Sequence, residues 1–171
     1  MMNKTPYIDI IPLLAKFKGR VFDLIPLTEE QQCVAYQQAI DLVDRGDTGG
    51  RTNDQIINDR LRGLAGEYSF RIFLTEQGLS TYDPIEWWYD FMYAGAHVDH
   101  KSKLSGFTYT QSKSEFDYLR YQPEAEVVYV CSDLSEINGK GIYRGALSSK
   151  DLTRWNPGRR GSRYVKEQDL L

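Results

Sequence analysis

The chain has 171 residues, 41% of them hydrophobic and 26% charged, the balance of a soluble globular domain long enough to bury a sizeable core. A formal net charge of −3 argues against a generally basic nucleic-acid binder, so any such binding must come from local patches. The two cysteines, Cys33 and Cys131, form no CxxC or Cys/His cluster that would suggest zinc or iron–sulfur, and both are expected as small buried residues in a reducing cytosol.

Residues 7–27 are fairly apolar, but Asp9, Pro12, Lys16, Lys18, Arg20 and Pro26 interrupt them, so no membrane span or export signal is expected. "LTEEQQCVAYQQAIDLVDRGD" predicts a helix from about 28 to 45, with Thr28 and Gln31 at capping-box spacing and Gly46 as its stop. After the loop "GDTGG", a longer helix is predicted over about 54 to 77, started by Asn53 or Asp54 and ended at Gly78. A first strand is expected near 80–87, then a hairpin of strands at about 89–93 and 96–102 around Ala94-Gly95. "SEFDYLRYQ" reads as a short helix and the Val-rich run "AEVVYVCS" as a central strand buried on both faces. "GIYRGALS" follows an Asn-Gly turn as another strand, "SSKDL" opens a short helix, and the basic tail is expected to end in an edge strand. The order of elements predicts one α/β domain over 1–171, with a mixed central sheet, an antiparallel hairpin and flanking helices. Residues 1–53 would form a helical extension and 153–171 a basic tail.

The hairpin raises an electrostatic problem. Its register pairs Phe91 with Val98 and therefore Asp90 with Asp99, two carboxylates at a Cβ separation of roughly 4.5–5.5 Å. Asp99 and Lys101 leave the strand on one face, which Asp90 joins from its neighbour. Two acids that close either share a proton or hold a cation, and Mg²⁺ is the natural occupant for hard oxygen ligands. On the long helix, Gln55, Asn58, Asp59, Arg62 and Ser69 mark a polar face, whereas Glu67 falls in the apolar arc with Ile56, Leu64 and Leu74. A carboxylate there needs a partner, either the cluster or Arg71 one turn on. Gly63 and Gly66 beside it would admit a close backbone approach.

"GLAGEYSF", "YDFMYAGAHVDHKSK", "AEVVYVCSDL" and "GIYRGALSSKDL" together resemble the PD-(D/E)xK nuclease superfamily, phage and restriction-type members above all, across about residues 54 to 152. The resemblance implies a restriction-endonuclease-like core and Mg²⁺-dependent hydrolysis of DNA, with Mn²⁺ as a substitute ion. Carried over, the helix acid is Glu67, the hairpin acid Asp90, and the D-x-K pair Asp99 and Lys101. Asp90 and Asp99 would bind metal, the backbone carbonyl of His100 would add an oxygen, and Glu67 would order a water or a second ion. Lys101 would orient the attacking water or stabilise charge on the phosphorane. The sequence departs from the pattern in one respect: no proline precedes Asp90, and Asp83-Pro84 has the reverse order.

Arg154, Arg159, Arg160, Arg163 and Lys166, with Trp155 and Tyr164 among them, are candidates for a phosphate-tracking surface that Lys103 and Lys113 extend from the hairpin side. Cutting both strands of a duplex takes two active sites, which makes a homodimer one expectation. The alternative reading is a catalytically silent nucleic-acid-binding or inhibitor module on the same scaffold.

Overall fold

Two reciprocal capping boxes set the start of the helical half. The computed structural model describes residues 6–85, 88–122, 124–135 and 137–171. After helix α1 (Pro6–Ala15) and strand β1 (Val21–Asp23), helix α2 (Glu29–Asp44) opens where Thr28 Oγ1 accepts the Gln31 N–H and Gln31 Oε1 accepts the Thr28 N–H. Helix α3 (Asn53–Glu76) repeats the device with Thr52 and Gln55, one residue earlier than the expected cap. Each such cap contributes about 1 kcal/mol. Residues 1–53 are not a purely helical extension: β1 is a strand of the main sheet, and Ile10 and Leu14 of α1 and Phe22 of β1 are buried in the core.

Among the described residues the main sheet has six strands. Strands β2 (Thr81–Tyr82), β3 (Phe91–Tyr93), β4 (Ala96–Lys103), β6 (Val128–Ser135) and β7 (Lys140–Ser148) join β1 in the order β1-β7-β6-β4-β3-β2. Of the strand expected near 80–87 only β2 forms, and residues 86 and 87 lie outside the described residues. The hairpin has its expected register, Phe91 with Val98, Met92 with His97 and Tyr93 with Ala96. Its turn places both Ala94 (φ 48°) and Gly95 (φ 82°) in the left-handed region, the backbone of a type I′ turn. β4 and β6 run parallel, so the chain must cross over between them. It does so through β5 (Thr108–Gln111) and helix α4 (Lys113–Tyr121).

A second sheet, order β5-β9-β8, joins β5 to β9 (Arg163–Lys166) and β8 (Asn156–Pro157). The tail strand is therefore the middle of a small sheet, and not an edge. "SSKDL" is turn and not helix: Ser149 exchanges bonds with Val127, its N–H to the carbonyl at 2.8 Å and its hydroxyl taking the N–H at 3.0 Å. That strand-like pairing withholds Ser149 from a helical start.

β6 is buried on both faces, as the run of apolar residues requires. On one side Val98, Val128 and Val130 pack with Phe70, Phe73 and Leu74 of α3. On the other, Tyr129 and Cys131 pack with Tyr109, Leu147 and Val165. Cys131 is buried as expected, whereas Cys33 is exposed on α2. Ser69, expected on the polar face of α3, is buried, and its hydroxyl accepts the Ile25 N–H at 2.8 Å. The result is a mixed α/β fold whose central mixed sheet carries helices against it. Among the described residues no helix is long and apolar enough to cross a membrane.

Candidate active site

The β3–β4 ladder ends at Phe91 and Val98, and Asp90 extends it by one main-chain bond, donating its N–H to the Val98 carbonyl at 2.9 Å. Its carboxylate then takes over: Asp90 Oδ2 accepts the His100 N–H at 2.7 Å. A side chain thus fills an edge position that another strand residue would have held.

Alternation along β4 sends Asp99 and Lys101 to one face and His100 to the other. The His100 ring stacks on Phe70 with centroids 5.2 Å apart, and its Nε2 lies 3.0 Å from Ser132 Oγ. Gly66 makes room for it. A Cβ at that position would stand 3.2 Å from His100 Cε1 and 3.0 Å from Leu134 Cδ1. Gly63 makes no such approach; a Cβ there would meet only the Arg60 side chain at 3.8 Å. Burial, reinforced by the Lys101 charge, pushes the imidazole down to about 3, so it stays neutral.

Glu67, next to Gly66 on α3, reaches the same cleft as Asp90 and Asp99. Arg71 binds Asp83 at 3.0 Å and Thr81 at 3.1 Å over the Phe91 ring and makes no ion pair with Glu67, although its charge and that of Arg60 partly offset the rise of that acid. Three acids therefore act on one another. Burial, and then the Asp99 charge, lift Glu67 to about 8. Burial, and then Glu67, lift Asp90 to about 7. Asp99 is raised well above its ordinary range by burial and then by Asp90.

Lys101 answers only part of this negative charge. Its Nζ stands 3.0 Å from Asp99 Oδ2 and 2.8 Å from Glu115 Oε1. Burial alone would lower the lysine, but Asp99 and Glu115 outweigh it and hold the ammonium well above its usual range. It remains a cation and cannot serve as a base. The cleft, about 260 Å³, is bounded by Glu67, Asp90, Asp99, Lys101 and Glu115, with Arg45 at the C-terminal cap of α2, Arg60 of α3 and Trp88 at its walls.

Sequence reasoning missed Glu115. The available signal was the Ser112-x-x-Glu115 spacing, which matches a capping box. Ser112 does cap α4, its Oγ accepting the Glu115 N–H at 3.2 Å. The Glu115 carboxylate, however, goes to Lys101.

Among the described residues, no group of three or more His, Cys, Asp or Glu side chains is placed to hold one metal ion. The expected set of Asp90, Asp99 and Glu67 is thus in one cleft without being three ligands of one ion.

The expected basic surface divides. Arg163 is 7% exposed, with its guanidinium 4.5 Å from the Phe116 ring centroid and 4.6 Å from that of Trp155. It donates to Gln111 Oε1 and, at 2.9 Å, to the Ser149 carbonyl, so it is a core residue and offers nothing to a phosphate. Arg154 ties Asp151 to the Asp169 carbonyl. Lys103 lies over Tyr109 and meets Asp133 at 2.5 Å. Arg159, Arg160 and Lys166 are exposed. Lys113, paired with Asp117, is in the first turn of α4, between the cleft residues Ser112 and Ser114, and its stem lies against Gly161. Arg160 reaches Gly50 in the α2–α3 loop. Lys113 is thus next to the cleft lining and against the Arg159–Arg160 turn, while Arg45 and Arg60 are the arginines that line the cleft itself.

Neither models of known families, nor curated proteins, nor solved structures match this chain.

Proposed function

We propose that the cleft is the active site of a metal-dependent phosphodiesterase that cleaves DNA, on a core of the restriction-endonuclease-like kind. One observation carries the reading: four carboxylates, Glu67, Asp90, Asp99 and Glu115, meet in one cleft where Lys101 pairs with Asp99 and Glu115 and, among the described residues, only Arg45 and Arg60 add positive charge at the walls. Such an excess of buried carboxylate calls for a positive ligand. The order of the parts supports it as well: a helix acid, a hairpin acid, D-x-K, a crossover helix and a buried parallel strand.

The donor set fits Mg²⁺ or Mn²⁺. These ions take hard oxygens and need only one or two carboxylates, the rest coming from water and phosphate, so the want of a three-ligand group is no obstacle. Asp90 and Asp99 would hold the ion, with one oxygen of Asp90 already committed to the His100 N–H. When bound, it would neutralise the scissile phosphate and acidify the attacking water. Glu67, raised to about 8, is poised to accept a proton from that water at neutral pH once a cation lowers it. Lys101 stays charged and places an ammonium where negative charge grows on the phosphorane. Exposed Arg159, Arg160 and Lys113 would track the phosphates on either side.

Incubation with plasmid, linear duplex and single-stranded DNA, each with Mg²⁺, Mn²⁺ or EDTA, tests the proposal. Cleavage that needs the ion and is lost in Asp99→Ala is expected; no cleavage of any substrate with either ion would refute it. The missing three-ligand group favours one other reading, a silent DNA-binding module. That reading predicts retention of DNA without cleavage.

A further inference from the structure

Lys101 is held from behind by a line of buried polar groups that the proposed chemistry does not itself require. Arg163 donates Nε–H to Gln111 Oε1, and Gln111 Nε2 donates to Tyr129 Oη at 2.5 Å. Tyr129 Oη stands 3.2 Å from Glu115 Oε2, and Lys101 Nζ donates to Glu115 Oε1 at 2.8 Å. The direction of these bonds is fixed by chemistry. A guanidinium can only donate, so Gln111 presents its oxygen there and its NH₂ to Tyr129. The tyrosine oxygen is then an acceptor, and its one proton goes to Glu115. Both carboxylate oxygens of Glu115 thus receive donors, one from the tyrosine and one from the lysine.

Gln111 and Tyr129 are 0% and 1% exposed, so this line runs through the apolar core between the two sheets. Burying such groups is unfavourable unless every partner is met. Two details argue against an incidental ion pair. Asp99 alone would already neutralise Lys101. And Glu115 reaches Lys101 although it stands where a capping box would turn it back to Ser112.

We propose that Glu115, braced by Tyr129 and Gln111, is a positioning residue that fixes the Lys101 ammonium at the cleft wall. The inference rests on the nuclease reading for what the lysine does, but not for whether it is held. α4 and the second sheet thereby become part of the site's support.

The test uses the full chain and two readouts. The first is the side-chain ¹⁵N–¹H resonance of Lys101, assigned by its loss in Lys101→Ala. It should be sharp and slowly exchanging in the parent, and broadened or lost in Glu115→Gln and Tyr129→Phe. The second is DNA cleavage with Mg²⁺. Glu115→Gln should lower kcat about 10- to 100-fold with KM within about threefold, the pattern of a displaced catalytic group. Adding Glu115→Gln to Lys101→Ala should cost nothing further, because the two act as one unit. A lysine signal unchanged in both variants, or a double variant whose losses multiply, would overturn the proposal. If the parent cleaves nothing but its Lys101 signal is ordered and freed by Glu115→Gln, the positioning stands and the nuclease reading falls.

Discussion

Asp90 accepts the main-chain N–H of His100 at 2.7 Å, so one carboxylate serves as an acid of the cleft and as the last rung of the β3–β4 ladder. Two substitutions separate these duties. Asp90→Asn keeps an oxygen for the N–H, removes a charge that repels Asp99, and should melt at or above the parent in EDTA. Asp90→Ala leaves the N–H bare and should lose about 1–3 kcal/mol. Both should lose the Mn²⁺-dependent rise in melting temperature. An Asn variant as unstable as the Ala variant would show that the carboxylate's charge matters more to the edge than its oxygen.

Stability without metal should fall as pH rises. The folded chain holds Asp90 at about 7 and Glu67 at about 8, against ordinary values of 3.8 and 4.5. The folded state therefore keeps protons that the unfolded chain releases. The resulting stabilisation is fully present below the unfolded values and is lost as pH climbs through the folded ones. Melting curves across about pH 5 to 9 in EDTA should show the decline, and Mg²⁺ or Mn²⁺ should flatten it. A flat EDTA profile would mean that the acids are better solvated than their burial implies.

Arg163 and its neighbours in the tail should part company. Arg163→Ala strands Gln111 and the Ser149 carbonyl in the core and should cost about 2–4 kcal/mol. Arg159→Ala and Arg160→Ala, both exposed, should stay within about 0.5 kcal/mol of the parent. Together they should weaken DNA binding and flatten its salt dependence. Denaturant melts and binding at two salt concentrations decide the matter.

The hairpin turn carries a correctable strain. Ala94 holds φ at 48°, a conformation that costs a residue with a Cβ roughly 1–2 kcal/mol. Asn tolerates it far better and forms the preferred Asn-Gly type I′ turn. Ala94→Asn should raise stability by about 0.5–1 kcal/mol in chemical denaturation, with cleavage unaltered. A destabilised variant would place a constraint on this turn beyond its backbone.

The parts of this molecule governed by neighbouring residues were readable in advance. Thr28 and Gln31 announced α2, Ala94-Gly95 set the hairpin register, and that register brought Asp90 to Asp99. Strand alternation also separated His100 from Lys101. What escaped depends on partners far along the chain. Arg163 looked like a surface arginine because nothing nearby says that Phe116 and Trp155 will enclose it. Glu115 drew no notice because Lys101 reaches it only through the parallel crossover. Cys33 looked buried because its helix is amphipathic only weakly, and its outward side could not be told from its inward one.

The sheet order also dictates a sequence of events in time. The hairpin, α4 and β6 lie close together along the chain, so β4, the strand bearing Asp99 and Lys101, can find β3 and β6 with short loops to close. β1 behaves differently: Val21 pairs with Ile142 at the far edge, and Phe22 fills the core there. A chain emerging from the ribosome makes β1 early but gives it nothing to pair with until β7 has followed. Its edge is the last of the main sheet to close, and the interval before closure is when a nascent chain is most exposed to misassociation.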